Sequence, residues 1–190
     1  MLTEQQGDIL LRLARMTMEA KLSIPETCHC ADQELSLPDL QQKQGVFVTL
    51  HLDGMLRGCI GSLIGTESII AGVRRHAINA AFHDYRFSPL SPEEAQAVRI
   101  SVSVLSSPEK LRFKDADELL NLLRPGIDGV IISAPGGAGA TFLPQVWEQL
   151  PLPEMFLTHL CRKAGLVDDY WRGSDCVVET YQVQYFEENR

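Results

Sequence analysis

Apolar positions along the chain change period several times, and each change marks an element. Ile9, Leu10, Leu13 and Met16 recur three and four positions apart behind Thr3 and Gln6, which are spaced as a capping box, so the chain opens with an amphipathic helix. From Pro25 to Gln44 no period holds; the stretch carries two prolines and Cys28-His29-Cys30 and reads as an irregular excursion. GVFVTLHLDGMLRGCIGSL then reads as two strands joined at Asp53-Gly54, a dipeptide that favours a hairpin turn. Helical spacing returns in Ile69, Ile70, Val73, Ala77, Ala80 and Ala81, with Thr66 placed to cap it. A proline-punctuated connection, HDYRFSPLSPEE, leads to VRISVSVLS, in which Val98, Ile100, Val102 and Val104 alternate onto one face. Asp115 and Glu118 suit a capping box for a short helix that ends near Arg124 at Pro125-Gly126. GVIISAPGGAGATFL reads as a second hairpin with a glycine-rich tip. Pro153 opens another helix that Gly165 would end, and CVVETYQVQYFEE reads as one long strand of β-formers.

Strands and helices mixed in this way, with two hairpins, predict an α+β fold: a largely antiparallel sheet with flanking helices. By order alone, the first helix, first hairpin and last strand belong to one lobe and the middle hairpin to another. No internal repeat interrupts this order.

Composition narrows the function classes. At 190 residues, with 45% apolar and 22% charged positions, the chain is an ordinary soluble globular protein with room for one core or two small lobes. Its formal charge of −8 argues against nucleic acid or an anionic membrane as a partner, and its basic residues are not clustered. No apolar run is long enough to span a bilayer, and the acidic, amphipathic start is not a signal peptide. Five scattered cysteines, an odd number, suit reduced thiols and a cytoplasmic location.

Candidate chemistry centres on MLRGCIGS, Met55 to Ser62. A guanidinium near a thiol favours the thiolate, so Arg57 and Cys59 form a sensible nucleophile pair, and Gly58 and Gly61 would admit a ligand. The alternative is packing, since cysteine is a common small buried residue and strand glycines accommodate a helix above them. A two-residue turn at Asp53-Gly54 sets Leu50 opposite Arg57 and Val48 opposite Cys59; a three-residue turn brings His51 and Thr49 to that face. His51, His76, His83 and His159 are the histidines that could serve Cys59, and His83 stands in the polar run His83-Asp84-Tyr85-Arg86. Cys28-His29-Cys30 lacks the second ligand pair of a zinc site, and Gly136-Gly137-Ala138-Gly139 lacks the lysine and hydroxyl of a phosphate loop. No metal is assigned and no cofactor is read.

GVFVTL followed by LRGCIGSL, then AAFHDYRFSPL, RISVSVLSSPE, TFLPQV and LCRKAGL before Trp171, resembles the ordered motifs of the AMMECR protein family. The resemblance implies a single AMMECR domain over 1–190 with two lobes and a functional groove between them. The larger lobe would take about 1–105 and 165–190, the smaller about 106–164. It carries over Arg57, Gly58, Cys59 and Gly61 from LRGCIG, Asp84, Arg86 and Phe87 from D-x-R-F, and Pro144 and Gln145 from LPQV. Two positions depart from the pattern: Tyr85 stands where the family usually has proline, and Asp128 where it often has histidine. Bacterial and archaeal members look like component A of the AmmeMemoRadiSam system, which implies a MEMO-like protein and a radical-SAM enzyme as partners. The resemblance supplies no reaction, and two readings stand. In an enzyme, Cys59 would be nucleophile or thiol carrier, Arg57 would bind an anion, His83 or Asp84 would move protons, and Gly58, Gly61, Arg86 and Gln145 would hold the ligand. In an adaptor, LRGCIG would be a packing motif, with Arg57 satisfied by internal carboxylates. Oligomeric state is not legible from the chain.

Overall fold

Thr3 does what its spacing predicts: its hydroxyl accepts from the Gln6 N–H while the Gln6 side chain accepts from the Thr3 N–H, and a helix of 19 residues follows. The computed structural model describes residues 1–189 and places its helices at α1 (Glu4–Leu22), α2 (Asp32–Leu35), α3 (Ile69–Phe82), α4 (Pro92–Ala97), α5 (Ala116–Leu122) and α6 (Pro153–Lys163). The strands are β1 (Gly45–Leu52), β2 (Met55–Ser62), β3 (Arg99–Leu105), β4 (Glu109–Lys110), β5 (Gly129–Ser133), β6 (Gly139–Phe142), β7 (Val177–Tyr181) and β8 (Val183–Glu187). They form two units, Met1–Leu105 with the stretch from Gln184, and Ser106–Val183.

The first unit is built on a sheet of order β2-β1-β3-β8, with β1 antiparallel to both neighbours. The alternation read from the sequence becomes cross-strand pairs, Val46 with Val104, Val48 with Val102 and Leu50 with Ile100. All six are buried in one cluster with Ile9, Leu10 and Leu13 of α1 and Ile69, Val73 and Ala77 of α3. Each such aliphatic side chain contributes about 1.5–3 kcal/mol on burial. The end of the chain is tied in by the buried Arg15, which donates to both carboxylate oxygens of Glu188 (2.7 Å each) and to the carbonyls of Ala95 and Val98.

The second unit carries the sheet β4-β7-β5-β6, again with antiparallel pairs. Its core packs Val130, Ile132 and Val178 with Phe156 and Leu160 of α6, and Trp147 stacks on Phe156 with ring centroids 3.7 Å apart. Gly165, in the left-handed region at φ 73°, ends α6 where the sequence predicts.

Four expectations are corrected. The cap of α3 is Ser68, not Thr66: its extended backbone lets the hydroxyl accept from the Ala71 N–H. The connection HDYRFSPLSPEE holds a helix, α4, because Ser91, Pro92 and Glu94 form a complete capping box with proline in the first turn. The long C-terminal strand is two strands in different sheets. Between them, the N–H and C=O of Gln182 are taken by the hydroxyl and N–H of Ser106 instead of by a strand. The stretch from 165 to 183 accordingly falls in the second unit, whereas the larger lobe was expected to include it. Among the described residues no helix is long and apolar enough to cross a membrane.

Candidate functional site

The hairpin turn is the two-residue Asp53-Gly54, both with positive φ (51° and 77°), and Leu52 pairs with Met55. From there a regular ladder would set Leu50 opposite Arg57. Instead Leu50 faces Gly58 and Thr49 faces Cys59, because β2 carries one extra residue in a β-bulge between Leu56 and Gly58. Neither register read from the sequence is complete. The turn is the shorter one, yet the bulge brings Thr49 to Cys59, as the longer turn would have done. The Thr49 hydroxyl lies 3.2 Å from the Cys59 sulfur and donates to it.

Strand β2 is the edge of its sheet, so Cys59 has no strand on its outer side. Asp84 and Arg86 take that place. The Cys59 N–H donates to Asp84 Oδ2 (2.9 Å), and Arg86 Nη2 donates to the Cys59 carbonyl (3.2 Å). The two side chains also bind each other, Arg86 Nε to Asp84 Oδ1 (2.9 Å) and Nη2 to Oδ2 (2.6 Å), and the Arg86 N–H reaches Oδ1 as well. The Asp84 side chain is 1% exposed. Its hydrogen bonds from Arg86 first, and from the Cys59 and Arg86 N–H groups, outweigh burial and hold the carboxyl well below the usual carboxylate range. The D-x-R motif is thus a clamp that satisfies one residue of an exposed sheet edge and denies it to another strand.

Arg57, the bulged residue, is buried and turned to α4. Its Nε and Nη2 donate to the two carboxylate oxygens of Glu94 (3.0 and 2.9 Å), and Nη2 also reaches the Ser88 carbonyl (2.9 Å), while Nη1 is buried without a hydrogen-bond partner among the described residues. Arg57 and, secondarily, the Ser91 N–H keep the Glu94 carboxyl below its ordinary value. The guanidinium carbons of Arg57 and Arg86 lie 5.8 and 5.5 Å from the centroid of the Phe87 ring. Among the described residues no hydrogen bond joins Arg57 to Cys59.

The glycines expected to admit a ligand are filled by the protein itself. A Cβ on Gly58 would lie 2.2 Å from the Ala80 carbonyl oxygen of α3, and one on Gly61 would lie 2.2 Å from the Phe47 ring. His83 is exposed at the end of α3, and its Nδ1 faces Asn79 Oδ1 at 3.0 Å. Gln145 lies in the second unit, exposed in a 3₁₀ turn whose Pro144 and Trp147 are buried. Asp128, one of the two departures from the family pattern, is buried and binds the N–H, Nε and Nη2 of Arg124, closing the turn after α5. The thiols of Cys28 and Cys30 donate to main-chain carbonyls of α1, Arg12 and Ile9, and burial pushes both upward. Among the described residues no group of three or more His, Cys, Asp or Glu side chains could hold a metal ion. Sequence reasoning missed Glu94 as the partner of Arg57, although the S-P-E-E spacing that fixes Glu94 was available as its signal. For Thr49 the only route was the register, which the bulge decides.

The family model described as AMMECR1 matches residues 11–186. A protein of Methanothermobacter thermautotrophicus is 37% identical over 194 residues, covering 99% of this chain and 97% of its own length. One from Methanopyrus kandleri is 35% identical, covering 98% and 90%. The crystal structure of an uncharacterised protein from Pyrococcus horikoshii superposes with a TM-score of 0.78 at 32% identity, over 99% of this chain and 94% of that one.

Proposed function

The chain belongs to the AMMECR1 family, and from that premise we propose that it acts as a non-catalytic binding subunit in which the LRGCIG hairpin is a rigid edge. One observation carries the reading: the charged groups expected to do chemistry beside Cys59 are engaged internally. Asp84 is held as an anion by Arg86 and by two N–H groups, which leaves a poor general acid and a weak base. Arg57 gives its Nε and Nη2 to Glu94, and the Nη1 that remains is buried. What the same segments offer to solvent is apolar: Met55 is 73% exposed, Tyr85 94%, and Leu56 is exposed beside Met55. Large apolar and aromatic side chains on a rigid scaffold are the groups that partner interfaces use. The partners we assign are the MEMO-like protein and radical-SAM enzyme that the family resemblance implies, with this chain as the binding component of a modification system.

A second reading, Cys59 as a nucleophile or thiol carrier, is favoured by one observation, the half-buried thiol beside the Thr49 hydroxyl. Alkylation of each cysteine followed by mass spectrometry, together with co-assembly with the MEMO-like protein, separates the two. The binding reading expects Cys59 to react no faster than a thiol in a short peptide between about pH 6 and 9. It also expects Met55→Ser with Tyr85→Ala to weaken assembly about tenfold or more without changing the melting temperature. Accelerated, saturable alkylation of Cys59, or assembly indifferent to the double substitution, would overturn it.

A further inference from the structure

The second unit has a cleft of about 680 Å³ between the chain from Lys110 to Ala116 and the chain from Arg172 to Val178. Its charge runs against that of the protein. The chain as a whole is at −8, yet the cleft is lined by four cations, Lys110, Arg112, Lys114 and Arg172, and by a single carboxylate, Asp115. That carboxylate is turned to its own helix, where it accepts from the Glu118 N–H at 2.8 Å.

The arrangement follows from a short alternation. In Lys110-Leu111-Arg112-Phe113-Lys114 the apolar residues pack against the core of the second unit and the cations are exposed. The Leu111 N–H donates to the Val178 carbonyl, which carries the β4–β7 pairing one residue further and holds the stretch extended. Alternate side chains of an extended chain stand on one side about 7 Å apart. Two of the four cations are held by acids: Lys114 lies 3.8 Å from Glu118, and Arg172 pairs with Glu154 while its guanidinium carbon lies 4.1 Å from the Trp171 ring. Lys110 and Arg112 have no side-chain partner among the described residues. In the β4–β7 pairing Glu179 stands opposite Lys110, so the positive charge is least compensated at Arg112, and a bound anion relieves the repulsion among the cations.

We propose that this cleft binds a small organic phosphate of nucleotide size, with its phosphates on Lys110, Arg112 and Lys114 and its apolar part against the exposed Val177. The volume lies within the range of small-molecule sites, roughly 300–1,000 Å³, and the lining mixes cations with the apolar surface of Leu111, Phe113 and Val177. A long polyanion fits less well. The exposed Asp117 follows the first lining stretch and the exposed Asp175 lies within the second, and the protein carries 25 acidic residues against 17 basic ones.

The test is isothermal titration calorimetry of the full chain at about 0.15 M salt with ADP, inorganic pyrophosphate and a polyglutamate peptide. ADP is expected to bind saturably and more tightly than pyrophosphate, which has no apolar part for Val177. Lys110→Gln with Arg112→Gln is expected to weaken ADP by about tenfold or more, whereas Lys21→Gln, a cation of the first unit, leaves it unchanged. Melting curves of each variant check the fold. Absence of saturable ADP binding up to about 1 mM, equal weakening by Lys21→Gln, or binding of the peptide without either phosphate overturns the proposal. None of these outcomes bears on the hairpin of the first unit, which is a separate site.

Discussion

Asp84→Ala tests whether the D-x-R clamp holds the hairpin edge. The substitution removes a carboxylate that is 1% exposed and receives three donors from Arg86 and one from Cys59. The Cys59 N–H loses its acceptor, and the half-exposed Arg86 turns to water, so most of the loss comes from the buried edge and not from the ion pair itself. A charge-assisted hydrogen bond contributes about 1.5–3 kcal/mol and an unsatisfied buried donor costs about 1–3, which together predict a loss of about 3 kcal/mol. With a urea slope of about 2 kcal/mol/M, the midpoint should fall by about 1.5 M. The assay needs a probe confined to the right unit. Both tryptophans, Trp147 and Trp171, lie in the second unit, so the first is followed by hydrogen exchange of the β1 and β2 amides, with tryptophan fluorescence as an internal control. The carboxyl titrates lower in the folded chain than in the unfolded one. Its contribution is therefore complete above the ordinary carboxylate value, near pH 4, and fades as pH falls below it. The difference between wild type and Asp84→Ala should shrink in the same way. A variant within about 0.5 kcal/mol of wild type at neutral pH, with β2 amides as protected as before, would refute the clamp.

Gly58→Ala should cost about 3 kcal/mol in urea unfolding, because its Cβ meets the Ala80 carbonyl at 2.2 Å and helix α3 must move; an unchanged midpoint would show that the helix does not pack so closely there. Glu188→Gln takes the counter-charge from the buried Arg15 and should cost about 3 kcal/mol, read as a fall of about 10 °C in Tm by circular dichroism. His76 is buried in α3 with neither ring nitrogen hydrogen-bonded among the described residues, and burial first, then Arg75, pushes its pKa down. Its unfolded form binds a proton more readily, so the first unit should lose stability as pH falls below about 6.5. His76→Leu should flatten that dependence, and identical pH profiles would disprove the assignment.

Periodicity and turn chemistry suffice for much of the architecture, because these signals are local. The capping box of Thr3 and Gln6, the Asp53-Gly54 turn, the alternation of Val98 to Val104 and the stop at Gly165 each depend on a few neighbouring residues, and each stands in the structure as read. The family, too, was legible in the order of its motifs. The site was not, because its geometry is non-local. The extra residue in β2 is absorbed by pairing with β1, and this turns Arg57 to Glu94, 37 positions away, and Cys59 to Thr49. Proximity in sequence suggested Arg57 and Cys59 as partners, with His83 or Asp84 to move protons beside them. Tertiary packing turned Arg57 away from Cys59 and made Asp84 and Arg86 the missing neighbour of an edge strand. The split of the last strand had the same cause. CVVETYQVQYFEE has the composition of one strand throughout, but Ser106 captures both main-chain groups of Gln182. Composition decides whether a segment can be a strand; which sheet it joins depends on hydrogen-bond partners distant in sequence, and those exist only once the chain has folded.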